Sequence, residues 1–371
     1  MRWILTWKNV EEGGVTVEKK AKARIVLLGY QDPELCDHPS AAPTVGRTLR
    51  QLFFQACALR RFRVSKGDVS AAFLQGREMS REVTTIPVKE LAERFNLKEG
   101  EVMHLRKAAY GLVQAPREWY ETVASFLREL GYQRILVDHC CWARHNEDNV
   151  LISIVVAHVD DFMIGGEGEW HQQAFESLRA KLQWGEWESK VFTQCGLRVT
   201  PLEHFNIILD QEEYTEQMEV LSWNKSKEER PVTEEERTQL RGLIGAMQWR
   251  GQQSAPGVCP GAGLLASKVT KAATEDLREG NLQLKRTKER SGQQLVIHSF
   301  EPDDELIVAT WVDAAHDNRE DGGSTGGIII GMAPKKILDG EECGVSAVYW
   351  SSRKAEKSMQ VFRSSRNSNN A

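Results

Sequence analysis

The sequence predicts an α+β fold, and three stretches carry that expectation. Val150 to Gly166 reads V-L-I-S-I-V-V-A-H-V-D-D-F-M-I-G-G, two apolar runs around a polar break, the pattern of a buried β-hairpin. Leu49, Leu52, Phe53, Ala56 and Leu59 fall at helical spacing, so Thr44 to Leu59 reads as an amphipathic helix. Arg117 to Leu130 reads as another, with Pro116 ahead of it and Gly131 closing it.

Taken in order, Trp3 to Lys8 and Ala23 to Leu28 are apolar-rich runs joined through Gly13-Gly14, a second hairpin within residues 1 to 31. Strand alternation puts Lys22 and Arg24 on one face of it. Two cations there can grip a triphosphate or simply face solvent on an edge strand. Pro33 to Pro43 is a loop. Arg47 and Arg50 lie near a helix start, where the dipole disfavours cations unless they meet an anion. Phe62 to Phe73 is a strand leading into a turn, with the carboxylate of Asp68 near its end and the aromatic Phe73 five residues on. Val83 to Pro87 and Val102 to Leu105 are short strands. Asn224 to Arg237 is charged and reads as a linker or helix lead-in, and Gly251 to Gly263 reads as a Gly/Pro-rich loop.

The adjacent carboxylates Asp160 and Asp161 sit at the tip of the 150–166 hairpin. They repel each other and lose solvation there, a cost that a bound cation relieves, and oxygen ligands suit Mg²⁺. The competing reading is an ordinary turn, since Asp caps turns through its own side chain. A third carboxylate on a separate strand favours the metal, and Asp68 supplies one.

Composition bounds the function classes. The chain has 371 residues, enough for two or three domains, with 41% hydrophobic and 27% charged residues. No apolar run reaches the roughly twenty residues of a membrane span, and the apolar core after Met1 is too short for a signal peptide. The expectation is an intracellular protein. Seven cysteines without a C-x-x-C pair suggest reduced thiols rather than zinc or disulfides, and nine histidines show no metal spacing. The net charge of −5 excludes a uniformly basic nucleic-acid binder. Yet residues 38 to 67 contain no acidic residue and include Arg47, Arg50, Arg60, Arg61, Arg63 and Lys66, and Lys19 to Arg24 is a second basic cluster. Local basic surfaces of this kind suit phosphates.

The segment Ala109 to Tyr120, A-Y-G-L-V-Q-A-P-R-E-W-Y, resembles the Y-G-L-K-Q-A-P-R-x-W-Y signature of reverse transcriptases from copia-type LTR retrotransposons. Its neighbours follow the family's order: K-A-R-I-V-L-L-G-Y-Q-D resembles the fingers segment, D-V-S-A-A-F-L-Q-G the first catalytic motif and H-V-D-D the Y-V-D-D box. Downstream, Q-E-E-Y and Arg241 to Trp249 resemble two further family motifs, and W-V-D-A-A-H, S-T-G-G and V-Y-W-S-S-R-K resemble its ribonuclease H region.

That resemblance implies a palm, fingers and thumb polymerase fold followed by a partial ribonuclease H-like domain, divided as 1–222 for fingers and palm, 223–295 for thumb or connection, and 296–371 for the tail. It implies an RNA-directed DNA polymerase using two Mg²⁺ ions, with Mn²⁺ as a substitute, on an RNA or DNA template with its primer and deoxynucleoside triphosphates. No membrane is implied, nor any oligomeric state; the expected location is cytoplasmic, with access to the nucleus. Asp68, Asp160 and Asp161 would be the catalytic metal ligands, with Asp161 the more tolerant. Lys22 and Arg24 would hold the triphosphate, and Phe73 would exclude a ribose 2′-hydroxyl. Tyr110 and Gly111 would line the nucleotide and template side. Trp119 and Tyr120 read as core of the palm helix, and Cys195-Gly196-Leu197 stands near the family's primer grip.

The chain departs from the family at several points. His158 replaces the Tyr before V-D-D that supports the primer end, implying reduced rather than lost activity, and Val113 replaces a Lys beside the template. The family's T-R-P-D motif is eroded in Gly251 to Gly263. Asp313 keeps the first ribonuclease H carboxylate, but Ser364 to Asn369 lacks the expected glutamate, so ribonuclease H cleavage is not expected. With no protease or integrase segment and Met1 close to the polymerase core, the chain reads as a polyprotein fragment or a degenerate copy. The alternative function is an element fragment that binds primer-template without catalysis.

Overall fold

The computed structural model describes residues 1–12, 15–224, 229–320 and 322–355. The chain forms two compact units, one of residues 1–46 and 65–187, the other of residues 47–64 and 188–371. Both mix strands and helices, as the sequence predicts.

The first unit is organised on a six-stranded sheet. Its strand order is Trp184–Glu188, Arg63–Val69, Asp161–Gly166, Leu151–His158, Cys141–His145, Gln133–Arg134. The expected hairpin is its centre: Leu151–His158 and Asp161–Gly166 pair antiparallel from Ser153↔Gly166 to His158↔Asp161. Strand alternation places Val155, Ala157, Phe162 and Ile164 on one face, and this face packs against helix Ala115–Glu129 through Trp119, Val123 and Leu127 and against helix Gly168–Lys181 through Ala174 and Leu178. Val156 and Met163, on the opposite face, are buried as well. A strand buried on both faces explains the continuous apolar run. Pro116 stands in the first turn of helix Ala115–Glu129, where its missing N–H costs nothing, and Gly131 follows its end at φ +91°.

A buried polar chain fastens helix Gly168–Lys181 to this sheet. Tyr132 Oη and Ser153 Oγ share a 2.8 Å hydrogen bond, and Ser153 Oγ shares another of 2.8 Å with His171 Nδ1. The unit also has two smaller antiparallel strand pairs, Arg2–Glu12 with Val15–Val26 and Glu78–Thr85 with Met103–Lys107. The turn expected at Gly13-Gly14 lies outside the described residues.

The second unit carries helices Arg47–Leu59, Glu234–Gln253, Cys259–Lys268 and Thr274–Lys288. The last three share a core of Leu240, Leu243, Ile244, Met247, Leu265, Leu277 and Leu284. Thr233 and Glu236 form a reciprocal cap at the start of the long helix, and the Arg230 guanidinium on Glu236 holds that carboxyl down at about 2. Two antiparallel sheets complete the unit: a four-stranded one in the order Phe192–Gln194, Leu197–Pro201, Ile207–Asp210, Leu295–Ile297, and a meander of Leu306–Ala315, Thr325–Pro334 and Ser346–Lys354.

One expectation is corrected here. Gly251 to Gly263 is not a loop: Gly251 to Gln253 finish the long helix, and Cys259–Lys268 is a helix with Pro260 in its first turn. Proline is compatible with a first turn, so its presence marked a start rather than a break. Among the described residues Arg47 and Arg50 are taken up by neutral groups of the protein. Arg47 lies 4.8 Å over the Trp350 ring and donates to the carbonyls of Trp350 (2.8 Å) and Gln252 (2.9 Å). Arg50 is buried against the side-chain carbonyls of Gln194 and Gln253, and burial lowers its guanidinium to about 10. Among the described residues no helix is long and apolar enough to cross a membrane.

Burial pulls the His171 imidazole below its ordinary value, and that of His298 in the second unit likewise. The unfolded chain therefore takes up protons that the folded chain refuses, and stability falls as pH drops through the range below about 6.5. Thermal melts between about pH 7.5 and about 5.5 should show the melting temperature falling with acidification, less steeply in His171→Asn; an unchanged slope would remove His171 as a contributor.

Candidate active site

The 150–166 hairpin turns in two residues, Val159 and Asp160, between the last paired residues His158 and Asp161. Val159 has φ +59°, a left-handed conformation that is costly for a β-branched side chain. Two hydrogen bonds hold the tip in that state. Trp119 Nε1, from the neighbouring helix, donates to the Val159 carbonyl at 2.7 Å. The amide of Val69 donates to the Asp160 carbonyl at 2.9 Å, joining the tip to the end of strand Arg63–Val69. Asp68 is the residue before that amide, so the two carboxylates that sequence reasoning paired stand on adjoining segments. Trp119 is core, as expected, and it is also the tip's anchor.

Tyr110 reads the charge of this corner. Burial raises its hydroxyl above the ordinary phenol value, the negative charges of Asp160 and Asp68 raise it further, and Arg24 pulls it back. The Arg24 guanidinium lies 5.6 Å from the Tyr110 ring centroid, and the Phe73 ring lies 5.0 Å away at a 56° tilt. The next residue, Gly111, adopts φ +91°, and a Cβ there would fall 2.2 Å from the Leu27 carbonyl. The Leu27 amide donates to the Tyr110 carbonyl at 2.7 Å. Only glycine permits this approach, which sets Tyr110 against the strand Val15–Val26 that carries Arg24.

Asp68, Asp160, Tyr110, Phe73, Arg24 and Gly111 are thus brought into one neighbourhood. Lys22 is exposed opposite Thr6, two residues from Arg24 on the same strand, with no contact to the others among the described residues. Asp161 begins the return strand and forms an ion pair with Lys66 at 3.3 Å. Lys66 entered the sequence reading only as one of six cations in a basic window; its spacing of two from Asp68, which puts both on one strand face, was the available signal. His158 is half-buried opposite Asp161, and its Nδ1 is buried without a hydrogen-bond partner. Asp313 belongs to the other unit, exposed on strand Leu306–Ala315 and accepting from the Ala314 amide at 2.8 Å. The glutamate position expected near Ser368 lies outside the described residues. A turn from Gln194 to Leu197 holds Cys195 at φ +49° and Gly196 at φ +70°.

Asp68 and Asp160 offer hard oxygen donors on rigid, adjoining backbone, the chemistry that a divalent cation of the Mg²⁺ class requires. Among the described residues there is no group of three or more His, Cys, Asp or Glu placed to hold a metal. A metal reading of this corner would rest on Asp68 and Asp160, while Asp161 forms an ion pair with Lys66.

The chain is similar to known proteins over this part of its length. The chain is 32% identical over 169 residues to the Retrovirus-related Pol polyprotein from transposon TNT 1-94 of Nicotiana tabacum, covering 45% of this chain and 12% of that protein. It is 30% identical over 166 and 167 residues to the polyproteins from transposons RE2 and RE1 of Arabidopsis thaliana, each match covering 44% of this chain and 11% of the relative. These are copia-type elements, and the stretch in common is a small part of each. The family model described as "Reverse transcriptase (RNA-dependent DNA polymerase)" matches residues 1–189, half of the chain and all of the corner just described, and the chain belongs to that family.

Proposed function

We propose that this chain is the polymerase part of a copia-type Pol protein, an RNA-directed DNA polymerase that extends a primer 3′-hydroxyl by nucleotidyl transfer. The observation that carries the reading is the 2.9 Å bond from the Val69 amide to the Asp160 carbonyl, because it joins the segments that carry Asp68 and Asp160.

In this reading Asp68 and Asp160 hold the divalent cations. When bound, two such ions lower the pKa of the attacking hydroxyl and offset charge on the leaving pyrophosphate. Arg24, seated on Tyr110, and Lys22 one strand repeat away supply positive charge for the triphosphate. Tyr110, raised by burial and the nearby carboxylates, keeps its proton at this corner. Phe73, pinned against Tyr110, fills the space of a ribose 2′-hydroxyl and selects deoxynucleotides. His158 flanks the primer end with an imidazole nitrogen that has no protein partner. Fingers and palm within 1–222, a thumb or connection region at 223–295 and a ribonuclease H-like tail at 296–371 complete the proposed right-hand arrangement. The template is RNA or DNA. No ribonuclease H activity is proposed, since Asp313 would be the tail's one retained carboxylate.

The test is Mg²⁺-dependent extension of a DNA primer on an RNA template. Wild type should extend, and Asp160→Asn should lose extension by about a thousandfold or more while still binding primer-template, since an amide cannot neutralise cations. Binding without extension by wild type would leave a nucleic-acid-binding fragment instead. With ribonucleoside triphosphates supplied, Phe73→Ala should incorporate them about tenfold or more faster than wild type; unchanged discrimination would refute the gate.

A further inference from the structure

Lys66 stands where the expected third metal ligand points. Its ammonium lies 3.3 Å from Asp161 Oδ1, and both side chains are largely withdrawn from solvent, 14% and 24% exposed. A pair shielded to that degree is screened less than a surface pair. Both strands that carry it are fixed. Lys66 is in mid-strand of Arg63–Val69, which lies beside Asp161–Gly166 in the sheet, and Asp161 is held opposite His158 by hairpin register. The pair therefore does not depend on a mobile loop.

Charge arithmetic gives this contact a consequence. Asp68, Asp160 and Asp161 sum to −3, and Lys66 brings the cluster to −2. Gly67 fixes where Lys66 begins: a Cβ on it would lie 2.6 Å from the Trp187 ring, so the strand is packed tightly between Lys66 and Asp68.

We propose that Lys66 is a positioning residue of this site, an internal cation that engages Asp161 and competes with divalent ions for it. This rests on the polymerase reading, and it goes beyond it by assigning Asp161 to Lys66 rather than to a cation. The ammonium would also lower the site's affinity for divalent ions, since it adds a positive charge beside Asp161. Divalent binding is then left to be completed by the phosphates of an incoming nucleotide.

Mn²⁺ binding to the nucleotide-free protein, followed by electron paramagnetic resonance of the free ion, tests this without reference to turnover. Lys66→Met and Lys66→Gln should each tighten Mn²⁺ binding by about tenfold or more, because Asp161 is released to the site. Lys66→Arg keeps the charge and should bind as wild type does. The melting temperature of each variant reports whether it is folded, and two neutral variants guard against one failing. Wild-type-like affinity in the folded neutral variants, or tightening in Lys66→Arg, would overturn the assignment while leaving the metal site intact. Absence of specific Mn²⁺ binding in wild type and all variants would overturn both the assignment and the metal-site reading beneath it.

Discussion

The account depends on a backbone contact rather than on a side chain. The Val69 amide and the Trp119 indole each donate to a carbonyl of the two-residue hairpin tip. Those bonds hold Val159 in a left-handed conformation that its branched side chain disfavours by about 1–3 kcal/mol. The strain is informative because of where it sits. A tip free to relax would let Asp160 drift from Asp68. A tip bonded on both sides keeps the two carboxylates on fixed backbone, the preorganisation that electrostatic catalysis requires.

Charge around that corner is distributed among opposing groups. Burial raises the Tyr110 hydroxyl, Asp160 and Asp68 raise it further and Arg24 opposes them, so the phenol keeps its proton across the physiological range. Lys66 offsets Asp161 on the neighbouring strand. A basic window in an otherwise acidic chain thus splits by position. Lys66 is directed at a carboxylate, whereas Arg47 and Arg50 are consumed by carbonyls and a tryptophan ring inside the second unit. Charge clustering along the chain did not distinguish these fates, because each is decided by a partner far away in sequence.

What was legible in the residues followed local periodicity. The 150–166 hairpin declared itself by its apolar runs, and helix Ala115–Glu129 by Pro116 and Gly131. Asp68 was legible as a carboxylate at a strand end, and Tyr110 and Gly111 through the resemblance of the surrounding motif. Gly251 to Gly263 was misread because glycine and proline were weighed as breakers, whereas Pro260 opens a helix. Lys66 was passed over, and the anchoring role of Trp119 was invisible, since a tryptophan at helical spacing reads as core whether or not its indole N–H has a partner. The segment near Ser368 lies outside the described residues, so the expected loss of a glutamate there is a statement about sequence.

The most direct measurement of the central claim is the anomalous scattering of Mn²⁺ in crystals of the chain with primer-template and a non-hydrolysable deoxynucleotide analogue. The account predicts metal density bridged by the carboxylates of Asp68 and Asp160, with Asp161 still on Lys66. Metal density that leaves either Asp68 or Asp160 uncoordinated, or no metal at this corner, would contradict it.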